Sequence, residues 1–188
     1  ASRGLGDVYK RQEDTRAKNP HLKIIVADPR KTDTASAADL HLQLKPGTDV
    51  MLFHGMLRVM LLNGWTDQNY IQQHTDGFEA LIPKLMLCTP DKVQDICGIS
   101  PTQLQQAAEW FATSKATLSL YCQGLNQSSS GTAKNASLVH LHMATGHIGK
   151  PGAGPFSLTG QPNAMGGREV GGLANLLSAH RDLNNPLH

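Results

Sequence analysis

The sequence predicts an α/β fold, and three observations carry that expectation. Short aliphatic and β-branched runs stop abruptly at polar turns. Helical segments with apolar faces alternate with those runs, and the polar turns follow the carboxyl ends of the strands, where open α/β sheets bind their ligands. The first nineteen residues are polar and charged without a core periodicity, and only residues 13–18 fit the end of a helix. Leu22-Lys23-Ile24-Ile25-Val26-Ala27 then reads as a strand that ends at Asp28-Pro29-Arg30, because Pro29 pushes Asp28 out of helical space. A second strand, Leu40-His41-Leu42-Gln43-Leu44, alternates apolar and polar residues and stops at Pro46-Gly47.

Thr48 or Asp49 is placed to cap a helix over Val50–Asn63, apolar nearly all round and therefore buried, with Gly64 closing it. Asp67–His74 reads as a short helix. Ser100-Pro101-Thr102-Gln103 is a capping box with Pro at the first helical position, followed by Leu104, Ala107, Ala108 and Phe111 at helical spacing to about Thr113. Thr117–Cys122 is a third strand, leading into Gln123-Gly124-Leu125-Asn126-Gln127, and Thr132–Thr145 a further helix closed by Gly146. From Gly149 to Gly172 the texture changes to eight Gly and three Pro in 24 residues, with only Lys150, Arg168 and Glu169 charged. A loop of that length inside a compact domain is usually functional or disordered, and its low charge with Phe156, Leu158, Met165 and Val170 argues against disorder.

Composition narrows the function. The chain has 188 residues, 39% apolar and 17% charged, with a net charge of +2 from interspersed basic and acidic groups. It has neither the basic footprint of a nucleic-acid partner nor a run of about 20 apolar residues for membrane insertion. The start has no apolar signal region. Cys88, Cys97 and Cys122 form neither an even disulfide set nor a CxxC pair and read as reduced, partly buried thiols. GxGxxG and GxxxxGK[ST] fingerprints are both missing, which disfavours an ordinary dehydrogenase or a P-loop NTPase.

Four polar turns remain: Asp28–Thr32, Pro46–Asp49, Gly124–Gln127 and Gly160–Asn163. Their carboxylates, amides and hydroxyls suit a purine, since an ionised Asp accepts from both the ring imino hydrogen and the exocyclic amine of guanine. Taken alone, Asp28 reads as an Asx-turn and Asp49 as a helix cap. Their occurrence together with the two amide-rich turns favours a shared ligand. Arg168 has a bland reading as a partner of Glu169, but a lone basic group in a nearly neutral Gly-rich stretch favours a functional one. His140 and His142 point apart on a helix, so His140, His142 and His147 read as ordinary partly buried imidazoles rather than a zinc site.

The stretches Asp28-Pro29-Arg30-Lys31-Thr32, Ala38-Asp39-Leu40-His41, Pro46-Gly47-Thr48-Asp49, Gly124-Leu125-Asn126-Gln127-Ser128, Leu141–Gly149 and Gly160–Gly171 resemble, in order and spacing, the catalytic subunits of molybdopterin-guanine-dinucleotide oxidoreductases. The segment ending Gly166-Gly167-Arg168-Glu169-Val170-Gly171 is most similar to their assimilatory nitrate reductase branch. The resemblance implies a Rossmann-like parallel sheet with helices over residues 13–158. Residues 159–188 would be a Gly-rich cofactor loop and return segment leading into a second α/β domain, and residues 1–12 a non-native or disordered leader. It implies an internal fragment, with a [4Fe-4S] region and the molybdenum-ligating Cys upstream, a β-barrel downstream, and no metal ligand here.

By the same resemblance the cofactor is Mo-bis(molybdopterin guanine dinucleotide). Asp28, Arg30, Thr32 and Asp49 would hold a guanosine end, with Asp49 at the guanine edge. Gln123, Gly124, Asn126, Gln127, Gly160, Gln161 and Asn163 would lie nearer the pterin and metal, and Arg168 would orient the substrate. The implied activity is reduction of nitrate to nitrite by oxygen-atom transfer in the cytoplasm, with reduced ferredoxin, flavodoxin or an NADH-linked subunit as electron donor. The isolated fragment would be inactive. A formate dehydrogenase of the same family and a non-catalytic guanine-nucleotide-binding α/β module are the competing readings.

Overall fold

The computed structural model describes residues 14–158, 164–171 and 177–188. The α/β expectation holds, but the strands form two parallel pairs rather than one sheet. Strand β1 (Ile25–Ala27) pairs with β2 (Leu40–Leu42) through Ile25↔Leu40, and β3 (Leu118–Tyr121) pairs with β4 (Gly154–Ser157) through Leu120↔Phe156. Each strand has only three or four residues, and no ladder joins the pairs among the described residues. Asp39 fixes the start of the first pair, its Oδ2 accepting from the Ile24 amide at 2.9 Å while Oδ1 meets the Arg16 guanidinium at 2.6 Å. Helix α1 (Asp33–Ser36), capped by the Thr32 hydroxyl, lies within the crossover from β1 to β2.

The hub of the core is α2 (Asp49–Leu62). Its Leu52, Met56, Leu57, Val59 and Met60 are all buried, as a helix apolar nearly all round requires. Helices α3 (Gln68–His74), α4 (Phe78–Met86), α5 (Pro90–Cys97) and α6 (Pro101–Thr113) follow. The capping box of α6 forms as read, with Ser100 Oγ accepting from the Gln103 amide and Gln103 Oε1 from the Ser100 amide. A short helical turn α7 (Gln123–Asn126) stands where an open loop is expected, because the Cys122 carbonyl accepts from the Leu125 and Asn126 amides and Leu125 is buried. Helix α8 (Gly131–Ala144) returns the chain from β3 to β4 and ends at Gly146, whose φ of +62° suits glycine.

Residues 75–99, where the sequence pattern predicts no element, hold α4 and α5. Two further expectations are corrected. The Gly149–Gly172 stretch is not one loop, since it contains β4 and α9 (Ala164–Glu169). Thr48 occupies the cap position of α2 but does not cap it, because its hydroxyl donates back to the Lys45 carbonyl at 2.6 Å. No helix among the described residues is long and apolar enough to cross a membrane.

Candidate functional site

Parallel pairing places the carboxyl ends of β1 and β2 on one edge, so the Asp28–Thr32 turn and the chain that leads to Asp49 leave side by side. Asp28 makes the Asx-turn, its Oδ1 accepting from the Arg30 amide at 2.7 Å. The turn is pinned from β2: a ring nitrogen of His41 lies 2.9 Å from the Asp28 carbonyl, and the Gln43 amide donates to the Pro29 carbonyl at 3.1 Å. Thr32 Oγ1 accepts from the Ala35 amide as the cap of α1. Asp28 and Thr32 therefore hold the turn itself. Arg30 is exposed, and its guanidinium meets no protein group among the described residues.

The second edge is built the same way. The Leu158 amide donates to the Tyr121 carbonyl at 2.7 Å, so the chain leaves β4 beside the point where Gln123 leaves β3. Asn126 ties the turn down: its Nδ2 donates to Ser157 Oγ at 2.9 Å and its Oδ1 accepts from Asn135 Nδ2 at 3.2 Å. Gln123 and Gln127 are exposed, and their side-chain amides have no protein partner among the described residues. Gly47, with φ +82°, and Gly124 each face open space, where an added Cβ would meet nothing within 4 Å. A ligand can approach both backbones.

The two edges meet at a residue the sequence reading missed. Lys134, on α8, places its ammonium 3.3 Å from Asp49 Oδ2 and 3.4 Å from the Gly124 carbonyl. Asp49 is thus a paired, half-buried carboxylate in the first turn of α2 rather than a helix cap. No local signal marks Lys134, which lies 85 residues from Asp49. Gly160, Gln161 and Asn163 lie outside the described residues. Arg168 belongs to α9, and its side chain is likewise outside the description.

Of the three histidines read as partly buried, His140 is exposed on α8, whereas His142 and His147 are packed into the core. His142 and His147 are both buried against Phe111, with ring centroids 4.8 and 5.9 Å away. One His142 nitrogen lies 2.8 Å from Ser119 Oγ, while Nδ1 is buried without a partner. His147 lies 2.9 Å from Thr145 Oγ1 and 3.2 Å from the Ser114 carbonyl. Burial, reinforced by the neighbouring His147, lowers the pKa of His142 to about 4. Burial also lowers His147, against the opposing pull of the Ser114 carbonyl. Cys88, Cys97 and Cys122 are unpaired thiols, and burial raises the first two, which makes them poor nucleophiles. Among the described residues no three His, Cys, Asp or Glu side chains group to hold a metal.

Fold and site together define an α/β protein whose polar turns gather at the carboxyl edges of parallel strands, open to a large polar ligand. The family model of the molybdopterin oxidoreductases matches residues 5–186, and the chain belongs to that family. It is 51% identical over 96% of its length to a nitrate reductase of Synechocystis sp. and 39% identical over 96% to a periplasmic nitrate reductase of Desulfovibrio desulfuricans. It is 35% identical over 90% to formate dehydrogenase H of Escherichia coli. The chain spans about a quarter of the length of these curated relatives: 25%, 25% and 24%. Among solved structures it is similar to acetylene hydratase from Pelobacter acetylenicus, with a TM-score of 0.69 and 28% identity, covering 77% of this chain and 20% of that one.

The family implies a molybdenum-pterin cofactor. The donor set fits the organic part of such a group. Arg30, Gln123 and Gln127 are unpartnered polar side chains among the described residues, Asp49 can accept from a heterocycle, and Gly47 and Gly124 leave room for its approach.

Proposed function

We propose that this chain is the internal cofactor-binding portion of a molybdenum nitrate reductase, with residues 13–158 as the partial nucleotide-binding domain and residues 159–188 as the segment leading to a second one. The observation that carries the reading is the meeting of the Asp49 and Gly124 turns at Lys134. Each turn is legible in the sequence by itself, and their contact through a third element is independent support for a shared ligand. In this reading Asp28, Arg30, Thr32 and Asp49 hold a guanosine end of a bis(molybdopterin guanine dinucleotide), and Asp49 faces the guanine edge. Gln123, Gly124, Asn126 and Gln127, with Gly160, Gln161 and Asn163, hold the portion nearer the metal.

When bound, the group supplies oxygen-atom transfer chemistry: two electrons and two protons convert nitrate to nitrite and water. A [4Fe-4S] cluster elsewhere in the full-length protein would pass on the electrons, with reduced ferredoxin, flavodoxin or an NADH-linked subunit as their source. Arg168 orients the planar anion through paired hydrogen bonds and opposes the charge that grows as the nitrogen–oxygen bond breaks. Nitrate is favoured over formate because the nitrate reductase of Synechocystis sp. is 51% identical and formate dehydrogenase H 35%. The cytoplasmic, assimilatory placement rests on the resemblance of the Gly166–Gly171 segment, and cell fractionation separates it from a periplasmic one.

The test is turnover by the full-length gene product. Nitrate reduction without formate oxidation is expected. Arg168→Ala should lower kcat/KM for nitrate by about 100-fold or more, the scale for removing one donor aimed at developing charge. An unchanged kcat/KM would take Arg168 out of the mechanism, and formate turnover in place of nitrate would hand the chain to the competing reading.

A further inference from the structure

Lys134 is the one side chain among the described residues that hydrogen-bonds to both the Asp49 turn and the Gly124 turn. It sits one turn into α8, with its side chain only 13% exposed, so the ammonium is held at the junction rather than waving in solvent. Its two contacts, at 3.3 and 3.4 Å, use two of the three N–H donors of an ammonium. They fall on groups 85 and 10 residues away in sequence, in segments that follow different strand pairs. The base of the contact is also fixed. An added Cβ at Gly131, three residues earlier on α8, would lie 2.5 Å from the Asn126 carbonyl, so the helix start is packed directly on the 123–126 turn.

We infer that Lys134 is a positioning residue for the cofactor: it holds the Asp49 carboxylate in register with the Gly124 backbone, so that one ligand touching both turns meets a preset spacing. The assignment rests on the cofactor reading given under Proposed function. Preset spacing lowers the ordering cost of binding, which appears as retention of the ligand rather than as a faster chemical step. Lys134 reaches the ligand through Asp49 and Gly124 and needs no contact of its own with the reacting atoms. An ion pair that merely stabilised the fold would act on the cofactor-free protein to the same extent.

The experiment uses the full-length protein purified as wild type, Lys134→Met, Asp49→Asn and the double variant. Molybdenum is measured by mass spectrometry and pterin as its fluorescent oxidation product, per protomer, before and after extended dialysis. Thermal unfolding of the cofactor-free form and turnover per bound molybdenum complete the set. Lys134→Met is expected to lose cofactor about tenfold more readily, about 1.4 kcal/mol. Turnover per bound molybdenum and the Tm of the cofactor-free protein should stay at wild-type values. In the Asp49→Asn background the same change should add little, since Lys134 acts through Asp49.

Wild-type retention in Lys134→Met would overturn the inference. So would a loss of retention matched by a fall in the cofactor-free Tm, which would mark a purely structural pair, and so would full additivity in the double variant. A wild-type protein that carries no molybdenum and no pterin would overturn the cofactor reading itself, and this assignment with it.

Discussion

His142 shows what burying an imidazole costs. Its ring is fully buried, packed on Phe111 and close to His147, and a proton on it would be a charge with no carboxylate nearby to meet it. The folded pKa of about 4 lies below the ordinary 6.5, so the unfolded chain binds more protons between those values. Stability is complete above pH 6.5 and falls as the pH drops toward 4. Between pH 7 and pH 5 the loss from this residue should be about 2 kcal/mol, with His147 adding in the same direction. Urea unfolding at the two pH values measures it. His142→Gln, whose amide can still reach Ser119, should flatten the slope, and an unchanged slope would place the acid sensitivity elsewhere. Lys134 belongs to the same scale, a half-buried ammonium paired with Asp49 whose proposed task has its own assay.

Among the elements, two glycines inside helices sit where a side chain would collide. A Cβ at Gly55 on α2 would lie 2.5 Å from Val93 Cγ2 on α5, and one at Gly131 on α8 would lie 2.5 Å from the Asn126 carbonyl and 3.2 Å from the Leu125 carbonyl. Alanine is favoured over glycine in a helix by about 1 kcal/mol. Val93 is fully buried and β-branched, with little rotamer freedom, and the backbone carbonyls of α7 cannot move aside either. Gly55→Ala should therefore overpack the core and cost about 1–3 kcal/mol, against which the helix preference for alanine offsets about 1 kcal/mol. Gly131→Ala should be destabilised by about 1–3 kcal/mol and should loosen the 123–126 turn. Denaturant midpoints give the first difference, and hydrogen exchange at Leu125 and Asn126 reads the second.

The same elements show why some of the molecule is legible in sequence and some is not. The capping box at Ser100 and Gln103 is local chemistry and forms as written. Helix α5 carries a similar local grammar, with Thr89 capping, Pro90 in the first turn and Gly98 at φ +80°. Only Val93 and Cys97 are buried on it, so its apolar stripe is too thin to read. Helix α4 contains Pro83, which reads as a breaker. Strand β4 exists because β3 is beside it, a pairing that no window of Gly154-Pro155-Phe156-Ser157 contains. The polar turns are visible because each follows a strand end. Lys134 is not, because its partners come from two distant parts of the chain.

At the scale of the whole molecule, the β3–β4 pair is covered on one side only among the described residues. Ser119 meets His142 of α8, while Leu118, Leu120, Phe156 and Leu158 point the other way at 50%, 52%, 55% and 44% exposure. The register sets Leu120 beside Phe156, so these side chains make one apolar strip. Parallel sheets are ordinarily buried on both faces, and a strip of this kind marks a contact. The curated relatives are about four times as long as this chain, which spans 25% of the Synechocystis sp. protein. The occupant we expect is therefore another segment of the same full-length polypeptide, packed across the strip. With Leu120→Cys in the full-length protein, thiol labelling at position 120, followed by peptide mapping, should be at least about 100-fold slower than after unfolding. That protection should not change with protein concentration. Rapid labelling of the native protein would leave the strip bare, and protection that faded on dilution would give it to a second copy instead.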